Sequence, residues 1–180
     1  MTVHAFADES RHGSTYLVAV ALAHPANLRC LRRDLRALLL PGQREVHFKR
    51  EKEPRQRELV DSIRRMAVEV RIYRRSCQRR DEPARQDCIA RLTRDLLDGG
   101  AHRLVLDSRS NRDIGDEVTI RRVISGQAHP TQLVYEHLGS TTEPLLWVAD
   151  TAAWCFNAGG HWRKRISTVV SAVIDLDCPE

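Results

Sequence analysis

The order of the apolar segments along the chain is the strongest constraint on its fold. Two apolar, partly β-branched runs come first, VHAFA at residues 3–7 and TYLVAVALA at residues 15–23, and the segment between them contains turn-forming residues. This pattern predicts a β-hairpin, with Asp8 and Glu9 directly after its first strand. Strand-like runs then alternate with helix-like segments, which is typical of an α/β fold.

The later elements are predicted from hydrophobic periodicity and from the positions of Gly and Pro. Helices are expected at residues 27–40, 55–66, 83–97 and 117–124, and strands at 68–75, 102–107 and 132–138. The last third of the chain is predicted as two helices that break at Gly159-Gly160. Because no repeat or linker interrupts these segments, we expect residues 1–180 to form a single α/β domain with a mixed sheet.

The charge of the chain is compatible with a nucleic-acid partner. The formal net charge is +5, with 29 Lys and Arg residues against 24 Asp and Glu residues. The lysines are Lys49, Lys52 and Lys164, so nearly all of the cations are arginines, whose guanidinium group matches phosphate in a bidentate geometry. A GC-rich coding sequence produces the same bias without any function, and composition leaves both explanations open.

Cysteine usage and hydropathy indicate the cellular compartment. The five cysteines are odd in number and include no CxxC pair, which argues against a disulfide framework or a zinc site and for reduced thiols. The chain shows no secretory signal pattern, and no apolar run approaches the roughly 18 residues of a membrane span. We therefore expect a cytoplasmic protein without membrane contact.

Three aspartates occupy positions that solvent exposure does not explain. Asp8 follows the first strand, Asp107 ends the strand LVLD, and Asp150 lies on a predicted helix among apolar neighbours. For any one of them a structural salt bridge or a helix cap is the simpler explanation, since a buried carboxylate needs a partner. Adjacent strand ends meet at one edge of a sheet, so the three together favour an oxygen-rich pocket of the kind that magnesium or manganese prefers.

Short motifs along nearly the whole chain resemble those of a known family. They are ADES after the first strand, EVHFK in the middle, LVLDSR on a later strand and LLWVADTAAW on a late helix. In order and spacing they resemble the family known as domain of unknown function 3800. The resemblance implies an RNase H-like α/β fold, with a mixed sheet led by a β-hairpin and flanked by helices. Two positions depart from the family pattern, since Arg11 stands where glycine is frequent and Trp147 stands where glutamine is usual.

The resemblance also implies a catalytic centre that holds Mg²⁺ or Mn²⁺. The residues that match the family by position are Asp8, Glu45, Asp107 and Asp150. Four acids of this kind suit two-metal hydrolysis of a phosphodiester, in which carboxylates hold two cations about 4 Å apart. We assign Asp8 as the shared ligand, the other three as flanking ligands, and Glu9 as a supporting or capping acid.

Further residues are candidates for the site or for the substrate surface. Glu51 and Glu53 are alternatives to Glu45, and His47 and Lys49 either contact phosphate or lie on a half-exposed strand edge. Glu136 and His137 form a reserve pair at the end of a later strand. The basic groups that could bind nucleic acid are Arg74-Arg75, Arg79-Arg80, Arg121-Arg122 and Arg163-Lys164-Arg165.

The sequence therefore predicts an RNase H-like nuclease that uses Mg²⁺ or Mn²⁺ to hydrolyse nucleic-acid phosphodiesters. One alternative is a non-catalytic module on the same scaffold that binds nucleic acid or a protein. Another is a phosphotransfer enzyme or phosphatase that acts on a small substrate. DNA versus RNA, endo- versus exo-cleavage and the oligomeric state stay open.

Overall fold

A computed structural model describes residues 3–78, 80–109 and 111–178. The strands are β1 (His4–His12), β2 (Thr15–Ala23), β3 (Glu69–Ser76), β4 (Arg103–Asp107), β5 (Val134–Leu138) and β6 (Val170–Asp175). The helices are α1 (Leu28–Arg36), α2 (Glu53–Ile63), α3 (Glu82–Asp98), α4 (Asp113–Ser125), α5 (Leu145–Ala158) and α6 (Gly160–Ile166). Short 3₁₀ turns lie at Pro25–Asn27 and Phe48–Arg50.

The strands form one mixed sheet in the order β5-β4-β1-β2-β3-β6. The hairpin strands β1 and β2 are antiparallel, and β3 continues antiparallel beside β2. On the other side of the hairpin, β4 pairs parallel with β1, and β5 pairs parallel with β4. The predicted mixed sheet led by a hairpin and flanked by helices is thereby confirmed.

Helices cover both faces of this sheet, and each face has its own apolar core. Phe6 of β1 belongs to the core formed with α1, α2, α5 and α6, whereas Ala5 and Ala7 belong to the core formed with α3 and α4. Successive side chains of a strand point to opposite faces. Asp8 therefore shares the face of α5, and Glu9 shares the face of α3.

The predicted site residue Asp150 lies on helix α5, which packs against one face of the sheet. The helix packs on β1 and β2, and ten of its 14 residues are buried, so that it is apolar nearly all round. A helix of this kind belongs inside a protein. It begins at Leu145 after Pro144 and ends at Gly159, whose φ of 71° requires glycine. Asp150 is thus a carboxylate placed on an otherwise buried helix.

The first strand is longer than predicted. Asp8 was expected at the end of the strand, but β1 continues to His12, and its antiparallel ladder with β2 runs from His4↔Ala23 to His12↔Thr15. Gly13 closes this ladder in a tight turn with a φ of 57°. Backbone pairing with β2 therefore overrides the low strand propensity of the acidic residues.

The C-terminal segment is also different from its prediction. The second of the two expected helices is only the short α6, and Val170–Asp175 forms β6, which pairs parallel with β3 at the edge of the sheet. Thr168, Val169 and Val170 are consecutive β-branched residues, which pack well on a pleated sheet and lose side-chain freedom in a helix. The two-helix prediction was wrong here.

All five cysteines are free thiols, and Cys77, Cys88 and Cys155 are buried. Over the described part of the chain, no helix combines the length and the apolarity that a membrane span requires.

Candidate functional site

One cleft of about 250 Å³ collects all four predicted acids. They reach it from four separate segments: Asp8 from β1, Glu45 from the loop that follows α1, Asp107 from the end of β4, and Asp150 from α5. Carboxylate oxygens brought together in this way form a donor set that suits a hard divalent cation.

Asp8 and Asp107 meet because their strands are parallel neighbours. Ala7 and Leu106 form the last register pair of β1 and β4, and each aspartate is the next residue along its strand. Strand alternation places both side chains on the face of α5. Asp8 is only 8% exposed.

Burial and mutual repulsion make both carboxylates hard to ionise. Burial raises the pKa of Asp8 well above its ordinary value, and the charges of Asp150 and Asp107 raise it further. Burial raises the pKa of Asp107 to about 6; the cation of Arg109 opposes this, while the charges of Glu9 and Asp150 add to it. The cleft therefore disfavours the ionised forms of Asp8 and Asp107 when no cation is bound.

Asp150 is oriented by the segment that precedes α2. Its Oδ2 accepts a hydrogen bond from the backbone N–H of Phe48 at 3.0 Å and lies 3.4 Å from Nδ1 of His47. Phe48 is fully buried, and its ring packs on those of Trp154 and Trp162, with centroids 5.1 and 5.9 Å away. Residues 44–50 form a loop that ends in the 3₁₀ turn Phe48–Arg50, and the buried Phe48 anchors it.

Glu45 is held by the loop that follows β5. It accepts a hydrogen bond from the Ser140 hydroxyl, and Nε1 of Trp147 donates to the Ser140 carbonyl at 2.8 Å. Trp147, which departs from the family pattern, thus supports Glu45 through Ser140. The two alternatives to Glu45 have partners elsewhere, since Glu51 accepts from Gln43 and Glu53 pairs with Arg57.

Arg109 is a cleft residue that the sequence did not indicate. One terminal nitrogen lies 3.5 Å from Asp8 Oδ1 and the other lies 2.9 Å from Glu9 Oε1, so the guanidinium spans two neighbouring acids of β1. Its side chain is 44% exposed. Arg50 and His47 also line the cleft. The only sequence feature that could have placed Arg109 in the cleft is its position two residues after Asp107.

Glu9, the predicted supporting acid, lies on the opposite face in a buried ionic network. It pairs with Arg85, whose Nε and terminal nitrogen donate to the two oxygens of Asp116 at 2.8 and 2.6 Å. Another nitrogen of Arg85 donates to the Tyr16 hydroxyl at 2.9 Å. Arg85 is 1% exposed and was not singled out, because helical spacing on α3 does not distinguish a buried arginine from a solvated one.

The reserve pair does not reach the cleft. Glu136 pairs with Arg103 at 2.7 Å, and His137 contacts Asp116 Oδ2 at 3.2 Å from the face of α4. Neighbouring residues of a strand point to opposite faces, which separates the two.

A second group of ligand-type side chains lies in the same network as His137. Within the described ranges, Asp113, Asp116 and His137 are the set whose ligand atoms all lie within 4.8 Å of one another. Asp116 already holds Arg85 through both oxygens, and Asp113 accepts from the Ser108 hydroxyl at 2.7 Å. Because the Arg85 guanidinium already binds both oxygens of Asp116, this group is an ion-pair network. The carboxylates of the cleft are more widely spaced, and they face the open volume of the cleft.

The basic groups predicted to bind nucleic acid are mostly engaged within the protein. Arg79 lies outside the described residues. Arg74 pairs with Asp175, Arg75 with Asp87, Arg121 with Glu117 and Arg165 with Asp61, and Arg163 donates to the Phe156 carbonyl. Within the described residues, Arg80, Arg122 and Lys164 have no acid partner.

The hairpin-led mixed sheet flanked by helices is shared with solved structures. The chain is similar to the structure of the PCNA:RNase HII complex from Archaeoglobus fulgidus, with 16% identity, a TM-score of 0.56, and coverage of 88% of this chain and 73% of that one. It also matches the crystal structure of ribonuclease H2 from Pyrococcus horikoshii OT3, with 12% identity, a TM-score of 0.49, and coverage of 84% and 70%.

At 16% identity the first of these likenesses shows the fold alone, and the predicted RNase H-like fold is confirmed. No protein-family model matches the chain. The curated proteins contain no match either. Membership of the domain of unknown function 3800 family therefore stays a prediction.

Proposed function

We propose that this protein is a divalent-metal-dependent nuclease that hydrolyses nucleic-acid phosphodiesters. The observation that carries the proposal is the convergence of Asp8, Glu45, Asp107 and Asp150 on one cleft, with Asp8 and Asp107 at adjacent ends of parallel strands. The RNase H-like fold and the nuclease identity of its structural neighbours support the reaction class. The resemblance of the sequence to the domain of unknown function 3800 family supports it independently.

The residues present fit Mg²⁺ or Mn²⁺. All four candidate ligands offer carboxylate oxygens, the donors that these cations prefer. Burial, with a further contribution from neighbouring acids, raises the pKa values of Asp8 and Asp107, and a bound cation would stabilise their ionised forms. When bound, divalent ions at such a site activate water and stabilise the leaving oxygen of a phosphodiester.

The protein's own groups then orient the reactants. The backbone N–H of Phe48 fixes one oxygen of Asp150, and the Ser140 hydroxyl fixes Glu45, so both carboxylates are held before a substrate arrives. His47 and Arg50 line the same cleft as donors for phosphate oxygens. Prepositioned groups of this kind reduce the reorganisation needed in the transition state.

The non-catalytic module remains the second candidate, and one contact favours it. Arg109 already places a positive charge beside Asp8 and Glu9, which is the arrangement expected where an acid pair is structural. In that case the cleft would bind nucleic acid without cleaving it.

Cleavage of labelled single- and double-stranded DNA, RNA and RNA–DNA hybrid in Mn²⁺, Mg²⁺ or chelator tests the proposal. The wild type and Asp98→Asn, a change at an exposed acid outside the cleft, should cleave at least one substrate with metal only. Asp107→Asn should lose this activity. Metal-dependent turnover of p-nitrophenyl phosphate alone would instead indicate the small-substrate enzyme, and absence of any metal-dependent cleavage would contradict the nuclease.

A further inference from the structure

Four exposed cations are concentrated beside the cleft. Arg44, Lys49, Arg50 and Lys52 lie among nine consecutive residues, and we call this segment, residues 44–52, the basic loop. Within residues 3–78, 80–109 and 111–178, none of these four side chains has a hydrogen bond or an ion pair with an acid. The other exposed cations without an acid partner in the described ranges are dispersed over several helices and the segments between them.

The acids near these cations do not neutralise them. Glu45 accepts from Ser140, Glu51 accepts from Gln43, and Glu53 pairs with Arg57. Their side chains are directed to these partners, so none of the three forms an ion pair with a cation of the basic loop, which carries four cations against two acids. This contrasts with the predicted basic groups, in which Arg74, Arg75 and others are paired with acids of the same molecule.

The basic loop is also held rigidly in place. Phe48 is buried in its centre, its N–H donates to Asp150, and its carbonyl accepts from Gln56 Nε2 at 3.0 Å. Because Phe48 points inward, its neighbours Lys49 and Arg50 point to solvent. Arg50 lines the cleft itself, which connects the basic loop to the candidate ligands.

We infer that the basic loop binds the phosphate backbone of the nucleic-acid strand whose scissile phosphate enters the cleft at Arg50. The inference rests on the proposed function and names the surface that holds its substrate. Lysine and arginine contacts to phosphate carry no sequence information and position the strand. Repeated cations along a single segment suit a polymer with a charge on every nucleotide better than a small molecule with one phosphate.

Fluorescence anisotropy with a labelled single-stranded oligonucleotide, in chelator and over a series of salt concentrations, tests this inference. The loop variant replaces Arg44, Lys49, Arg50 and Lys52 with Gln. The matched control replaces four exposed cations outside the basic loop that have no acid partner in the described ranges, and it changes the net charge equally. Its residues are Arg29, Arg36, Arg65 and Arg94.

The loop variant should lose at least tenfold in affinity, while the control stays within about threefold of the wild type. Each phosphate contact on a single strand contributes about 0.7 to the slope of log K against log salt, so the slope should fall by up to about 3. Thermal unfolding confirms that both variants fold; if the loop variant does not, Lys49→Gln and Arg50→Gln are measured singly against Arg29→Gln and Arg94→Gln.

Three results would overturn the inference: no binding by the wild type, equal losses in loop variant and control, or competition by polyglutamate of matched charge as strong as that by unlabelled oligonucleotide. The last result would indicate a generic anion surface. Binding that depends on the loop, together with no cleavage in Mn²⁺, would uphold the inference and contradict the nuclease. If the loop variant still binds and cleaves nucleic acid, the nuclease is upheld and the inference about the basic loop is contradicted.

Discussion

Asp8 and Asp107 stand side by side where β1 and β4 stop pairing, one residue beyond the register pair of Ala7 and Leu106. Neighbouring strands are about 4.8 Å apart, and strand alternation turns both carboxylates towards α5. The fold thus keeps two carboxylates close together, and their repulsion lowers the stability of the folded protein unless a cation binds between them.

Neutralising Asp8 should stabilise the metal-free protein. Burial and the charges of Asp150 and Asp107 raise the pKa of Asp8, so Asp8→Asn removes an unfavourable charge while keeping the oxygen that accepts from the Glu9 N–H at 2.7 Å. A gain of about 1 kcal/mol raises the Tm of a chain of this size by about 2–4 °C. Thermal scans in chelator measure this gain.

The same variant should lose the stabilisation that Mn²⁺ gives the wild type, because a ligand stabilises the folded state in proportion to its binding. Asp98→Asn, at an exposed position outside the cleft, should keep the Mn²⁺ effect. A destabilised Asp8→Asn protein and a wild type indifferent to Mn²⁺ would indicate structural salt bridges in place of a metal site.

Arg109 should compete with metal for Asp8. Its guanidinium lies 3.5 Å from Asp8 and 2.9 Å from Glu9, so Arg109→Gln removes a cation that already offsets the negative cleft. We expect a lower Tm in chelator and tighter Mn²⁺ binding by calorimetry. Arg112→Gln removes the same charge from a neighbouring arginine that pairs with Asp81, and it serves as the control. Unchanged or weaker Mn²⁺ binding in Arg109→Gln alone would refute the competition.

Arg85 should contribute more to stability than any surface arginine. Arg85→Met removes the buried cation that Asp116 and Glu9 share, and breaking a buried pair in this way costs about 3–5 kcal/mol. Chemical denaturation measures the loss. Arg57→Met, which removes an exposed pair with Glu53, should have little effect by comparison. Equal effects of the two substitutions would show that the buried network is not a stabilising centre.

His137 should make stability depend on pH. Burial lowers the pKa of His137, but the hydrogen bond that its ring donates to Asp116 and the charges of Asp113 and Asp116 outweigh it and raise the pKa above 6.5. The folded state therefore favours the protonated ring. This stabilisation is complete below pH 6.5 and is lost as the pH rises through the folded-state pKa.

His137→Gln should consequently destabilise the protein more at about pH 5 than at about pH 8.5, as measured by denaturation at both values. His129→Gln, at an exposed position, should show no such difference. A loss that is the same at both pH values would mean that the ring acts by packing and not by charge.

The sequence was sufficient for five of the six strands and for Asp8, Asp107 and Asp150, because these follow from local patterns, whereas Glu45 came from the family resemblance. Alternation and breakers predicted the hairpin, and Asp107 sits at the end of a short apolar strand. β6 was missed because its residues also fit a helical period, and parallel pairing with β3 decides between the two states. Tertiary contacts of this kind have no local signal.

The cations that complete the site were not predictable for the same reason. Arg85 and Arg109 are two of many arginines in the sequence, and only the fold brings one to Glu9 and Asp116 and the other to Asp8. Trp147 departs from the family pattern, and only the structure shows its role, in which its ring N–H donates to the Ser140 carbonyl.

An anomalous difference map from crystals soaked in Mn²⁺ tests the central claim most directly. The account predicts at least one peak in the cleft with oxygens of Asp8 and Asp107 among its ligands, and loss of that peak in Asp107→Asn crystals. The second group of ligand-type side chains, Asp113, Asp116 and His137, provides the internal comparison. A map with no peak in the cleft, or with manganese at this second group alone, would contradict the assignment of the cleft as the metal centre.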